Sequence, residues 1–96
     1  MARVVVAQRA RKDLADLIQT RSLPADTGSR VWSSIEHLAA FPQIGKLLTG
    51  RWRGFRLIIG PWRWMLIVYL YDEPANKVAI LAIHDAREAS SATSEA

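Results

Sequence analysis

The side chains best suited to chemistry in this sequence are cations, and they are concentrated in the middle of the chain. Residues 37–71 include no Asp or Glu. The basic residues of that stretch are Lys46, Arg51, Arg53, Arg56 and Arg63. Ten of the thirteen basic residues of the chain are arginine, which grips phosphate or carboxylate groups in a fixed geometry. The pattern predicts a patch for nucleic acid or for an acidic protein partner, the alternative being a solvated basic face.

A histidine and four tryptophans extend this list of candidates. His84 titrates near neutral pH and can therefore give or accept a proton, although a histidine near a strand end can also simply pack there. Trp52 and Trp62 each stand beside an arginine and are candidates for stacking on nucleic-acid bases. Trp32 and Trp64 fit a core or a partner contact better.

Composition excludes other kinds of chemistry. The chain has no cysteine, which excludes a disulfide scaffold, a thiolate metal site and a cysteine nucleophile. Two histidines are too few for a histidine-rich metal cage, and no metal or organic cofactor is implied. The longest apolar run, residues 64–71, is far shorter than a membrane-spanning helix. We therefore expect a cytoplasmic protein without a membrane partner.

Length and patterning predict one α+β domain over residues 1–88. The chain has 96 residues, 50% of them hydrophobic and 23% charged, with a net charge of +4, which suits a single globular domain. A β-branched run at residues 3–7 predicts a strand. Apolar residues at helical spacing then predict two helices, one beginning at Gln8 and one beginning near Pro24 or Asp26 and ending by Phe41, because Pro42 follows. Residues 89–96 are small and polar, so we expect a disordered tail.

Three further strands are predicted at residues 52–59, 62–71 and 77–84. Their short connections indicate an antiparallel meander, which makes the element order β-α-α-β-β-β. The helical hairpin should cover one face of the sheet and leave the other partly open. Strict alternation along the last strand places Ala82 and His84 on the same face as Ile80. Arg56, Arg63 and His84 each lie near a strand end, where a suitable register would let them converge.

Five segments, read in order, resemble the RelE/ParE superfamily of toxins from type II toxin–antitoxin systems. They span about residues 3–88 and include a Pro-x-x-Gly turn at Pro42 and Gly45. The segments are ARKDLADLI, IEHLAAFPQIGK, GFRLIIGPWR, LIVYLYD and VAILAIHDARE. The resemblance implies the α+β fold described above, and a cognate antitoxin as partner in a toxin–antitoxin hetero-oligomer.

The superfamily divides by target, and both branches remain open for this chain. RelE-like toxins cleave messenger RNA on the ribosome, whereas ParE-like toxins inhibit DNA gyrase and are not nucleases. The His-x-x-Arg-Glu ending at residues 84–88 resembles the ParE branch. RelE-like toxins often carry an aromatic acid or base, usually Tyr, in the C-terminal tail, whereas no aromatic residue of this chain follows Tyr71. Gyrase inhibition is therefore the favoured prediction, with ribosome-dependent mRNA cleavage as the alternative.

The resemblance also implies roles for particular residues. In a RelE-like enzyme the catalytic set would be Arg56, Arg63, His84 and Arg87. The arginine of the third family strand corresponds either to Arg63, counting from Gly60, or to Leu66, counting back from Tyr69. Residues for binding RNA or another target would be Lys46, Arg51, Trp52, Arg53, Arg56 and Trp62.

Overall fold

A computed structural model describes residues 1–88, which contain two helices, five strands and one short 3-10 turn. The helices are α1 (Gln8–Thr20) and α2 (Thr27–Ala40). The strands are β1 (Arg3–Val6), β2 (Lys46–Leu47), β3 (Arg56–Ile59), β4 (Met65–Asp72) and β5 (Lys77–Asp85). The predicted α+β class is confirmed, and the predicted tail at residues 89–96 lies outside the described residues.

The strands form one mixed sheet in the order β1-β5-β4-β3-β2. Strands β3, β4 and β5 are the predicted antiparallel meander. Strand β1 pairs parallel with β5. Both helices separate β1 from the other strands along the chain, so a long crossover of the kind that parallel pairing needs is available. The two-residue strand β2 lies between α2 and β3, where no strand was predicted, and forms the edge opposite β1.

The helical hairpin covers one face of the sheet, here called the helix side. The apolar stripes of both helices are buried there, at Ala10, Leu17, Val31, Ile35 and Leu38. They pack against alternate residues of β4 and β5, namely Met65, Ile67, Tyr69, Val78, Ile80 and Ile83. The helices bury one residue in every three or four, and the strands bury every second residue. Both spacings can therefore be recognised in the sequence.

The opposite face of the sheet, here called the open face, carries a smaller apolar cluster. Its buried members are Leu48, Leu57, Leu66, Val68 and Ala82, with Trp52, Phe55 and Ala86 packed against them. Residues 52–55 were predicted to begin a strand, and they do not. Gly50 (φ 67°) and Gly54 (φ 90°) adopt the left-handed conformation that glycine tolerates. The turn between them carries Trp52 over the open face.

A β-bulge in β5 changes which side chains share a face. Val68 pairs with Ala82, but the next residue, Tyr69, pairs with Ile80, so Leu81 is the extra residue. Ile80 therefore packs on the helix side, whereas Ala82 packs on the open face. Strict alternation had placed them together, and that prediction is wrong. The bulge turns His84, which pairs with Leu66, toward the open face.

Candidate functional site

His84 lies where the open face meets the free end of β5. Strand β1 ends at Val6, so β5 has no strand neighbour on that side beyond Ile80. Helix α1 takes its place: the Asp13 carboxylate accepts a hydrogen bond from the Ile83 backbone N–H at 3.0 Å. The cleft between α1 and the end of β5 has a volume of about 300 Å³. Its lining includes Arg9, Asp13, Asp16, His84 and Glu88.

The surroundings of His84 favour its neutral form. Burial lowers the pKa of the imidazole from its ordinary value, and the charge of Arg9 lowers it further. Asp13 and Glu88 act in the opposite direction without reversing the shift. His84 is therefore a neutral imidazole at pH 7, with one nitrogen able to donate a proton and the other able to accept one.

Trp52 covers one edge of His84. The two rings meet at a centroid separation of 5.4 Å and an interplanar angle of 72°, and Phe55 contacts Trp52 from 5.9 Å. Nδ1 of His84 and Nε1 of Trp52 are both buried, and neither has a hydrogen-bond partner among residues 1–88. Arg51 and Arg53 are exposed on either side of Trp52. The structure thus brings together four residues that the sequence singled out.

Two more of the predicted cations lie apart from His84. Lys46 is at the rim of the open face, and Arg63 lies outside the strands. Lys46 pairs with Leu57 across the sheet, and paired residues point to the same face. Since Leu57 packs in the open-face cluster, the exposed Lys46 lies at the rim of the open face. Arg63 is exposed in the turn between β3 and β4.

Arg56 is on the other side of the sheet, and the predicted convergence of Arg56 with His84 is wrong. Arg56 pairs with Tyr69, a helix-side residue. Its Nη1 donates hydrogen bonds to the backbone oxygens of Gln43 at 3.1 Å and Gly45 at 2.9 Å. Alternation shows which residues share a face, but the sequence alone does not show which face the helices cover. Arg56 holds the loop before β2.

The Tyr69 hydroxyl holds the same loop from inside the core. It donates to the Pro42 backbone oxygen at 2.8 Å and accepts from the Gly45 N–H at 2.9 Å. A Cβ at Gly45 would lie 2.7 Å from that hydroxyl and 2.9 Å from the Leu57 backbone oxygen. The Pro-x-x-Gly turn thus fits closely over a buried tyrosine. The sequence analysis missed this role, although a tyrosine within a buried strand needs a polar partner.

Asp85 is a second residue that the sequence analysis missed. Its carboxylate is 1% exposed and accepts from Arg87 Nε at 2.9 Å and Arg87 Nη2 at 2.8 Å. Arg21 lies 2.8 Å from the same carboxylate. The hydrogen bonds from Arg87 hold the pKa of Asp85 at about 2. Arg87, predicted as a catalytic cation, therefore already has a carboxylate partner within the chain.

Trp62, predicted to contact the target, belongs to a stack on the helix side. Its ring stacks on Trp64 with centroids 6.0 Å apart, and both rings pack against the helix-side core. The guanidinium of Arg30 lies 5.7 Å from the Trp62 ring, and that of Arg87 lies 4.9 Å from the Trp64 ring. These contacts engage Trp62 within the protein rather than on the open face.

Two kinds of feature are absent from the part of the chain that the structure describes. Residues 1–88 contain no group of three or more His, Asp or Glu side chains able to hold a metal ion. No helix in that range combines the length and the apolar character that crossing a bilayer requires.

Comparison with known proteins yields structural relatives only. No protein-family model matches the sequence, and no curated protein matches it either. In the RelBE2 toxin–antitoxin complex from Mycobacterium tuberculosis, one chain superposes with a TM-score of 0.68 and 22% identity, over 88% of this chain and 96% of that one. This protein has the fold of RelE toxins.

Two Escherichia coli structures agree with this assignment. A chain of the intact RelBE toxin–antitoxin complex superposes with a TM-score of 0.65 and 14% identity, over 92% of this chain and all of that one. A doubly substituted RelE in the free state superposes with a TM-score of 0.66 and 21% identity, over 100% of this chain and 95% of that one. The resemblance drawn from the five sequence segments is thereby confirmed at the level of the fold.

Proposed function

We propose that this protein is the toxin of a type II toxin–antitoxin pair and that it cleaves ribosome-bound messenger RNA, as RelE-like toxins do. The observation that carries the proposal is the fold, which matches RelE toxins over at least 88% of the chain. The sequence favoured gyrase inhibition, but the structural relatives are RelE proteins, so they support the alternative better.

The open face offers the groups that RNA cleavage by a neighbouring 2′-hydroxyl needs. In that reaction the 2′-oxygen attacks phosphorus, the bond to the 5′-oxygen breaks, and cations stabilise the charge on the phosphate. Arg51 and Arg53 are exposed beside Trp52, which contacts His84, and Lys46 is exposed at the rim of the same face. We assign the phosphate contacts to these cations, with Arg63 as a further exposed one, and base stacking to Trp52.

Arg56 and Arg87 take structural roles in this proposal. Arg56 donates to two loop carbonyls, and Arg87 is bound to Asp85. Arg56 uses Nη1 for its two bonds, and Arg87 uses Nε and Nη2, so groups of the protein itself hold both guanidiniums in place. His84 stays in the proposed site because its ring contacts Trp52 on the open face and because burial lowers the pKa of the imidazole and so favours its neutral form.

An antitoxin is the proposed protein partner. Large apolar side chains are exposed at both edges of the sheet and along α2, which suggests surface that a partner covers. They are Val5, Trp32, Phe41, Ile44, Leu47 and Ile59. The two RelBE structures above are toxin–antitoxin complexes. We expect this protein to co-purify with an acidic antitoxin segment and to act in the cytoplasm, where ribosomes are.

Inhibition of a protein target such as gyrase is the second candidate, and one observation favours it. Two of the four predicted catalytic residues, Arg56 and Arg87, are bonded within the protein. A toxin that binds and inhibits a protein target does not need these residues as catalysts.

The deciding experiment compares the two targets directly. Purified protein is added to a translation reaction with intact ribosomes, and new 5′ ends on the mRNA are mapped. A parallel reaction measures DNA supercoiling by gyrase. We expect mRNA breaks at defined codon positions that need ribosomes, weaken in the His84→Ala variant and persist in the His37→Ala control. Loss of supercoiling without any mRNA break would replace the proposal with the second candidate.

A further inference from the structure

The contact between Trp52 and His84 contains an unmatched donor and an unmatched acceptor. The Trp52 indole nitrogen can only donate a hydrogen bond, whereas an imidazole nitrogen without a proton can accept one. Both atoms are buried and lack a partner among residues 1–88, which is costly because water cannot replace the missing bond. The two rings are nonetheless in edge contact, with centroids 5.4 Å apart.

We propose that Trp52 is a positioning residue whose indole N–H donates to Nδ1 of His84 and thereby keeps the imidazole proton on Nε2. The centroid separation of 5.4 Å is short enough for the two nitrogens to reach hydrogen-bond distance when the nitrogen-bearing edges of the rings face each other. One such bond satisfies two buried polar atoms at once. Phe55, the other ring in contact with Trp52, has no polar atom and therefore offers the indole N–H no acceptor.

The charged groups around His84 leave this arrangement intact. Asp13 and Arg9 come from α1, and Glu88 follows β5. The Asp13 carboxylate already accepts from the Ile83 N–H, and the effects of Arg9 and Asp13 on the imidazole oppose each other. A doubly protonated ring would place two N–H donors, those of Trp52 and of His84, against each other. The proposed bond therefore belongs to the neutral ring.

The tautomer decides which role His84 can take in RNA cleavage. This step of the inference rests on the proposed function. With Nδ1 occupied by Trp52, Nε2 retains its proton and has no free lone pair. His84 then cannot take the proton of the 2′-hydroxyl. It instead donates a hydrogen bond from Nε2 to a phosphate oxygen, where negative charge grows as the 2′-oxygen attacks phosphorus. No proton leaves the imidazole in this role: the proton of the 2′-hydroxyl passes to solvent water, and the departing 5′-oxygen takes a proton from water.

Nuclear magnetic resonance tests the tautomer without any reference to activity. In protein labelled with ¹⁵N, we expect the ring shifts of His84 to show the Nε2–H form and a coupling across the Trp52–His84 hydrogen bond. Trp52→Phe should remove the coupling and give a mixture of tautomers. Phe55→Leu should change neither result, and the exposed His37 serves as an internal control. An Nδ1–H tautomer in the unmodified protein, or no coupling to Trp52, would overturn the proposal even if Trp52→Phe fails to fold.

A measurement of mRNA cleavage tests whether His84 acts as a hydrogen-bond donor through Nε2. The amide nitrogen of glutamine falls near the place of Nε2, whereas that of asparagine falls near Nδ1. We expect His84→Gln to retain at least about tenfold more mRNA cleavage than His84→Asn. Equal losses in the two variants would overturn the donor role. If the unmodified protein cleaves no mRNA, the proposed function fails, while the coupling to Trp52 still decides the tautomer.

Discussion

Two aromatic pairs on opposite faces of the same sheet differ in how completely their polar neighbours are satisfied. On the helix side, Trp62 stacks on Trp64, and the pair lies between Arg30 and Arg87. Those guanidiniums are themselves bonded to carboxylates. On the open face, Trp52 and His84 are in contact, and each carries a buried nitrogen that has no hydrogen-bond partner within residues 1–88.

The cations follow the same division. Arg56 and Arg87 are bonded within the protein, whereas Lys46 and Arg53 are exposed beside the open face. Native structures satisfy nearly all their buried polar groups, and exceptions concentrate where function requires them. The helix side is therefore best understood as structure, and the open face as the site of function. The expected effects of substitution differ accordingly.

The largest expected effect on stability is that of Gly45→Ala. The added methyl group would meet the Tyr69 hydroxyl at 2.7 Å and a backbone oxygen at 2.9 Å, so the loop must shift and lose its bonds to Tyr69. We expect the free energy of unfolding to fall by about 1–3 kcal/mol, measured by chemical denaturation. Gly28→Ala is the matched control, because its methyl group meets nothing within 4 Å. An equal loss in both variants would refute the role of the Tyr69 contact.

The next effect is that of Asp85→Asn. Replacing the buried carboxylate removes its charge-assisted bonds to Arg87 and Arg21, which should lower the free energy of unfolding at pH 7 by about 2 kcal/mol. Because folding lowers the pKa of Asp85 to about 2 from 3.8, this stabilisation is present above about pH 4 and is lost as the pH falls toward 2. The difference between the two proteins should therefore shrink in that window.

Asp26→Asn is the control for this prediction. It removes a similar pair with Arg30, but both side chains of that pair are more than half exposed, so we expect a change below about 1 kcal/mol. A pH-independent difference between Asp85→Asn and the unmodified protein would contradict the assigned role of the carboxylate.

Much of the fold was predictable because it depends on local pattern. The apolar stripes of both helices, the stop imposed by Pro42 and the short connections of the meander are properties of neighbouring residues. Helix α1 begins at Gln8 as predicted, and α2 ends at Ala40, before Phe41. The parallel pairing of β1 with β5 needed tertiary structure, because it joins residues more than seventy positions apart.

The site was less predictable, since it depends on which face each side chain occupies. Alternation placed Arg56 correctly relative to its neighbours, but the side that the helices cover comes from three-dimensional packing. The bulge at Leu81 is a departure from alternation that no local residue type marks. The turn that carries Trp52 over His84 has a local signal in Gly54, whose positive φ precedes the start of β3 at Arg56.

A smaller effect, on RNA binding, should distinguish the cations of the open face from those of the helix side. Lys46→Ala and Arg53→Ala should each weaken binding to single-stranded RNA and reduce the slope of log Kd against log salt by about 0.7. Arg30→Ala removes a cation from the helix side and should leave the slope unchanged. Fluorescence anisotropy over a range of salt concentrations measures all three. A loss of slope in Arg30→Ala, or unchanged slopes in the other two, would contradict the assignment of RNA binding to the open face.

The most direct test of the division between the faces compares Trp52→Phe with Trp62→Phe, which make the same chemical change on opposite sides of the sheet. Thermal unfolding and ribosome-dependent mRNA cleavage are measured for both variants. Trp52→Phe should reduce cleavage by about tenfold with little change in Tm. Trp62→Phe should lower Tm by about 4–8 °C, as a loss of about 1 kcal/mol does in a domain of this size, and should retain cleavage. Full cleavage in Trp52→Phe together with loss of cleavage in a folded Trp62→Phe would contradict the account.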